Sequence, residues 1–69
     1  MRIVLNGEAR EVSRQLTVAE LVTQEGLNGV GRRGVAVAVD AEVIPRSAWE
    51  RTKLSDGQSV ELLAAMQGG

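Results

Sequence analysis

A single capping box decides most of what this chain can fold into. In Thr17-Val18-Ala19-Glu20 the Thr17 hydroxyl can accept from the Glu20 amide, while the Glu20 side chain reaches back to the Thr17 amide. Val18, Leu21 and Val22 then share one helical face, with Glu25 near its edge. Gly26 is the natural stop, in a left-handed cap, and Leu27 is placed to cover the end of the core. Most of the remaining chain reads as strand. At 69 residues the chain makes one domain, able to bury only about 60% of its unfolded surface. Such a sheet has to bury one face against that one helix.

The strands follow from turn chemistry and alternation. Arg2-Ile3-Val4-Leu5 is a strand, and Asn6-Gly7 after it is the strongest short hairpin signal, because both turn positions need positive φ. Ala9 to Val12 returns as a short charged strand. Val35 to Val39 is the third, with Val35, Val37 and Val39 facing one way and Ala36 and Ala38 the other. Asp40-Ala41 turns into Glu42-Val43-Ile44, and Pro45 ends that strand. Ser47-Ala48-Trp49-Glu50 has the pattern of a second cap, suited to a single helical turn. Leu54 anchors the return, Asp56-Gly57 turns, and Ser59 to Ala65 is the last strand. The first and last strands should lie centrally, with Ile3, Leu5, Val60, Leu62 and Ala64 facing Val18, Leu21 and Val22. The expected fold is α+β, a mixed sheet of four to five strands with one main helix packed on one face. Residues 1–65 form the domain and residues 66–69 a flexible tail.

Composition narrows the function classes. The net charge is -1 with acids and bases interleaved, which argues against the basic footprint of a nucleic-acid binder and against a polybasic membrane patch. The longest apolar run, Val35 to Val39, is far short of the ~20 residues a bilayer needs. No signal-peptide pattern precedes the first strand, so a cytoplasmic protein is expected. There is no Cys and no His. That removes disulfides, thiolate zinc sites, a Cys nucleophile and the usual general base together. The acids do not cluster at a calcium-loop spacing, so no metal site is expected. Such a chain is poorly equipped to be an enzyme and better suited to be a substrate or carrier.

Two glycine motifs remain. Gly29-Val30-Gly31-Arg32-Arg33-Gly34 spells G-x-G-x-x-G, but a dinucleotide fingerprint follows a strand and opens a helix. Here it follows a helix and leads into a strand, so it is read as a connector, with Arg32 and Arg33 solvated or facing an acidic partner. The second motif closes the chain, where the last strand runs through Met66-Gln67 into Gly68-Gly69. Glycine lacks a Cβ, so this finger can thread a narrow channel and bring its carboxylate to a reactive atom. The bland alternative is a frayed end.

Taken together these residues resemble the ThiS family, the ubiquitin-like sulfur carriers of thiamin biosynthesis. The opening Ile3-Val4-Leu5-Asn6-Gly7-Glu8 is similar to that family's start. The most specific stretch runs from Val37 to Trp49 and contains Pro45-Arg46-Ser47-Ala48-Trp49, a Pro-Arg-x-x-Trp signature. Asp56-Gly57 and Gln67-Gly68-Gly69 complete a likeness that spans the chain. It departs at Asp40-Ala41, where the family pattern has Asn-Gly, and in the Gly-rich loop. The resemblance implies a β-grasp fold and a carrier cycle. In that cycle a ThiF-like adenylating enzyme uses ATP to activate the Gly69 carboxylate. A sulfur donor system such as a cysteine desulfurase then supplies the sulfur of a thiocarboxylate, which a ThiG-like thiazole synthase consumes. The carrier itself binds no cofactor; ATP belongs to the partner.

Other recipients remain open at this level: a molybdopterin synthase, a tRNA-thiolating enzyme, or the partners of a ubiquitin-like tag. The Pro45-Arg46 to Trp49 segment favours thiamin. Partner contact is expected beside the tail, on Val4, Leu63, Ala65 and Met66, since Leu63 and Ala65 alternate with the inward residues of the last strand. Trp49 is either a docking anchor or an internal pin for the excursion from Pro45 to Thr52. The lack of any other aromatic to cover that edge favours the pin.

Overall fold

The computed structural model describes residues 1–26 and 34–64. The strands are β1 (Arg2–Leu5), β2 (Glu8–Glu11), β3 (Val35–Val39), β4 (Glu42–Ile44) and β5 (Ser59–Ala64), with helix α1 (Val18–Gln24) and a 3₁₀ helix (Arg46–Arg51). They form one five-stranded sheet in the order β2-β1-β5-β3-β4. β1 and β5 run parallel, and the β1–β2, β3–β4 and β3–β5 pairs are antiparallel. The last strand therefore lies in the centre, with β1 beside it.

α1 begins as its capping box dictates. The Thr17 hydroxyl accepts from the Glu20 amide at 3.1 Å, and the Glu20 carboxylate accepts from the Thr17 amide at 2.9 Å. Its buried residues are Val18, Leu21 and Val22. Gly26 adopts φ 77, and its amide donates to the Thr23 carbonyl, so the helix stops in the left-handed cap that glycine accommodates. Leu27 lies outside the described residues.

The fully buried side chains come from every layer: Ile3 of β1, Val18 and Leu21 of α1, Val37 of β3 and Val60 of β5. Each contributes ~1.5–3 kcal/mol, against a total stability of ~3–10 kcal/mol for a chain this size. No polar or charged residue is buried among the described residues. The interior is packing alone, and any chemistry has to sit on the surface.

Four local expectations are corrected. β2 is set one residue earlier, at Glu8–Glu11, because Arg2 pairs with Glu11. Ser47 caps nothing: the 3₁₀ helix starts after Pro45, without a side-chain cap bond, and runs six residues. Pro45, with φ -65, is already set for a helix start, and its carbonyl takes the Ala48 amide at 2.8 Å. Ala64 keeps the inward parity of β5 but is exposed, at the strand end furthest from Val60. Leu16 is buried without having been read as core. It sits in the loop before α1, where its carbonyl accepts from the Leu54 amide at 2.9 Å.

Candidate functional site

The tail residues Ala65, Met66, Gln67, Gly68 and Gly69 lie outside the described residues, as does the glycine loop up to Gly34. The structure does define the strand that leads to the tail. β5 is gripped on both sides. The Asn6 amide accepts from the Leu62 N–H at 2.8 Å through Oδ1, and donates through Nδ2 to the Leu62 carbonyl at 3.1 Å. At the other end the Asp40 carboxylate accepts from the Ser59 N–H at 3.0 Å and from the Gln58 side chain at 3.3 Å. The sequence pattern marks Asn6-Gly7 as a turn only. Asn6 and Gly7 do have φ 50 and 85, but the Asn6 side chain also continues the β1–β5 ladder past the end of β1.

The alternation expected in β5 is observed. Val60 and Leu62 are buried, whereas Leu63 is 66% exposed. The register decides what lies around Leu63. Val4 pairs with Ser59, four positions back along β5, or about 13 Å at ~3.3 Å per residue. Val4 is also only half-exposed, so it does not join Leu63 in a patch. The neighbours are instead Ala36, directly across from Leu63, and the row Val43–Ala38–Glu61. Val43 is 71% exposed. These residues, with Ala41, line a shallow depression of about 280 Å³ on the face opposite α1. The signal for Val43 was present in the alternation of a short edge strand, but only the β3–β4 register places it beside Ala38.

Trp49 is the internal pin. It is 8% exposed, its indole N–H donates to the Ile44 carbonyl at 2.9 Å, and the Arg46 guanidinium lies 5.8 Å from its ring centroid. On the helix side Arg10 and Glu25 form a bidentate pair at 2.9 and 3.0 Å, tying β2 to α1. The Glu25 carboxylate raises the Arg10 pKa above its ordinary value, so Arg10 stays charged at any working pH. Among the described residues no helix is long and apolar enough to cross a membrane.

A mixed five-stranded sheet holding one helix, with its central strand leading to Gly-Gly, defines a β-grasp carrier of the ubiquitin-like class. The chain belongs to the ThiS family, whose model matches residues 3–69. It is similar over its full length to the sulfur carrier protein ThiS of Escherichia coli, 29% identical and matched over the whole of that protein. It is 38% identical to a thiazole synthase of Paramagnetospirillum magneticum, of which it spans only 20%. The crystal structure of the thiamine biosynthesis protein ThiS from Geobacter metallireducens superposes with a TM-score of 0.80 at 32% identity, each chain fully covered. A solution structure of a thiamine biosynthesis protein from the same organism gives 0.78 at 34%, covering 88% of that chain. The domain is thus a sulfur carrier of thiamin biosynthesis, and not itself a catalyst.

Proposed function

We propose that sulfur is carried on the carboxylate of Gly69. In the first step that carboxylate attacks the α-phosphate of ATP inside a ThiF-like partner, forming an acyl-adenylate and releasing pyrophosphate. In the second, a persulfide on a donor such as a cysteine desulfurase, its outer sulfur drawn from cysteine, displaces AMP to give an acyl disulfide. A thiol reductant cleaves the S–S bond to release the thiocarboxylate, the donor sulfur leaving in a disulfide with that thiol. Thiazole synthase then takes the sulfur. Adenylation supplies the leaving group that a bare carboxylate lacks. With no Cys in the chain, sulfur cannot travel as a persulfide on a side chain.

The observation that carries this reading is the placement of β5. The central strand, held by β1 and β3 and clamped by Asn6, leads into Gln67-Gly68-Gly69. A rigid base with an extension that ends in two residues without side chains suits delivery of a carboxylate into a partner's channel, where placement of the reacting atom within about an ångström matters. Leu63 is the partner-facing residue beside that exit. The full-length likeness to a thiazole synthase segment supports that enzyme as the recipient.

Incubation with the adenylating enzyme, ATP and a sulfur donor should replace one oxygen by sulfur at Gly69, read by mass spectrometry of the intact chain. Gly68→Ala should abolish the ATP–pyrophosphate exchange without changing the unfolding midpoint, because a channel fitted to glycine has no room for Cβ. Normal exchange by that variant would overturn the threading geometry.

A further inference from the structure

The outward face of the sheet carries one feature that the carrier reading leaves unused. Around Leu63 the surface is Ala36, Ala38, Ala41 and Val43, with one charged side chain among them, Glu61. Elsewhere on this face, among the described residues, Arg2 and Glu11 form an ion pair 3.1 Å apart at the far end. Glu61 is in neither ion pair formed among the described residues. It is an exposed carboxylate set in an apolar surround, one row from Leu63 and directly across from Ala38.

We propose that Glu61 is the specificity group of this docking face, and that the face takes a partner presenting an Arg or Lys inside an apolar surface. This rests on the reading of Leu63 as a partner contact. Glu61 adjoins Leu63 on the same face of β5 and ends the row Val43–Ala38–Glu61, so a surface that covers Leu63 together with that row also covers Glu61. A carboxylate covered without a cation loses its water and gains nothing in return. A partner with the base is accepted, and one with only apolar groups or an acid is rejected. The base has to be local. Glu61 is eight residues from Gly69, up to about 28 Å along extended chain, and charges more than ~8–10 Å apart are largely screened at physiological salt. With the tail extended into a channel, as the carrier reading requires, the positive field of an ATP site at its end therefore cannot serve. A second copy of this chain is a poor occupant, because a two-fold contact through this patch sets Glu61 against its own copy.

The test is calorimetric titration of folded variants against the adenylating enzyme of the same genome, at low and physiological salt. The Glu61 carboxylate is exposed and takes no part in the ion pairs or side-chain hydrogen bonds among the described residues, so its variants should keep the wild-type unfolding midpoint. Glu61→Lys should weaken binding at least about tenfold, since like-charge juxtaposition at an interface is costly. Glu61→Gln and Glu61→Leu should weaken it less and flatten its salt dependence. Tighter binding by Glu61→Leu, or an unchanged Kd for Glu61→Lys, overturns the proposal. Leu63→Asp separates the two readings. If it weakens binding while the Glu61 variants bind normally, the docking face stands and the cation falls. A wild-type chain that neither binds nor gains sulfur overturns the carrier reading and this proposal with it. Concentration-dependent sedimentation that Leu63→Asp abolishes would put a second copy on the face instead, against the proposal.

Discussion

Two hairpin turns grip opposite ends of β5, and they are made of different residues for a reason that β5 itself supplies. Asn6-Gly7 joins β1 to β2, and Asp40-Ala41 joins β3 to β4. All four residues have positive φ, at 50, 85, 49 and 70, as two-residue hairpins between right-twisted strands require. At Leu62 the backbone of β1 has run out, and both the N–H and the carbonyl of Leu62 still need partners. A carboxylate only accepts, whereas a side-chain amide accepts through its oxygen and donates through its nitrogen, and Asn6 does both. At Ser59 the carbonyl is already taken by the Asp40 amide at 2.7 Å. Only N–H groups remain to be satisfied there, so a carboxylate suffices. The identity of each first turn residue follows from what the central strand leaves unpaired.

The largest effect expected from breaking this contrast comes from making the first turn like the second. Asn6→Asp keeps the shape and the tolerance for left-handed backbone. It sets a carboxylate oxygen where the Asn6 amide now donates to the Leu62 carbonyl at 3.1 Å. The lost bond and the uncompensated carbonyl should cost about 2–3 kcal/mol at pH 7, seen as a lower urea midpoint with unchanged slope and as faster exchange of the Leu62 amide. The dipole of the Leu62 carbonyl disfavours the charged form and raises the folded-state pKa of the new carboxyl above its ordinary ~3.9. The protonated form can donate again, so the deficit relative to wild type should shrink as pH falls towards 4 and grow as pH rises. A deficit independent of pH would show that the Asn6 side chain acts only through turn conformation.

The next effect isolates backbone strain at the same turn. A Cβ built on Gly7 meets nothing within 4 Å, but its φ is 85. Gly7→Val therefore has room and still has to adopt a left-handed conformation that β-branched residues resist. A loss of roughly 1–2 kcal/mol is expected. An unchanged midpoint would mean that the turn relaxes to another type at no cost.

How much of this was legible in the sequence depends on how far apart the interacting residues are. The capping box, Asn6-Gly7 and the Val/Ala alternation of β3 are local, and each was readable because local chemistry decides it. The same reasoning placed Leu63 outward and Val60 and Leu62 inward. It misplaced Val4 as a neighbour of Leu63 because the offset of two parallel strands, Val4 beside Ser59, is not encoded in either strand's period. Leu16 was missed because its burial depends on pairing with Leu54, far along the chain. Ser47 misled because Ser-x-x-Glu matches a cap wherever it occurs, while Pro45 had already fixed the helix start. The second role of Asn6 was hidden for the same reason as the register: its partner, Leu62, is 56 residues away. The tail chemistry was read from residues that lie outside the described part of the chain, so its support comes from the family match and from the strand that leads to it.

The smallest effect tests the second turn, and its sign is opposite. Ala41 has φ 70, a conformation that costs a residue with a Cβ roughly 1–2 kcal/mol. Gly7 escapes that cost at the equivalent position of the first turn. Ala41→Gly removes the strain but also loosens the unfolded chain, which offsets about 0.4–1 kcal/mol. The net expectation is a gain of about 0.5 kcal/mol, read as a higher urea midpoint. Asp40 keeps its bonds to Ser59 and Gln58 in that variant, so the β5 clamp is untouched and the change reports the second turn position alone. A gain would show that the two turns are equivalent in geometry and differ only in strain. A loss would mean that the Ala41 methyl, which lines the outer depression beside Val43, contributes packing worth more than the strain it imposes. The strained turn would then belong to the docking face as much as to the hairpin.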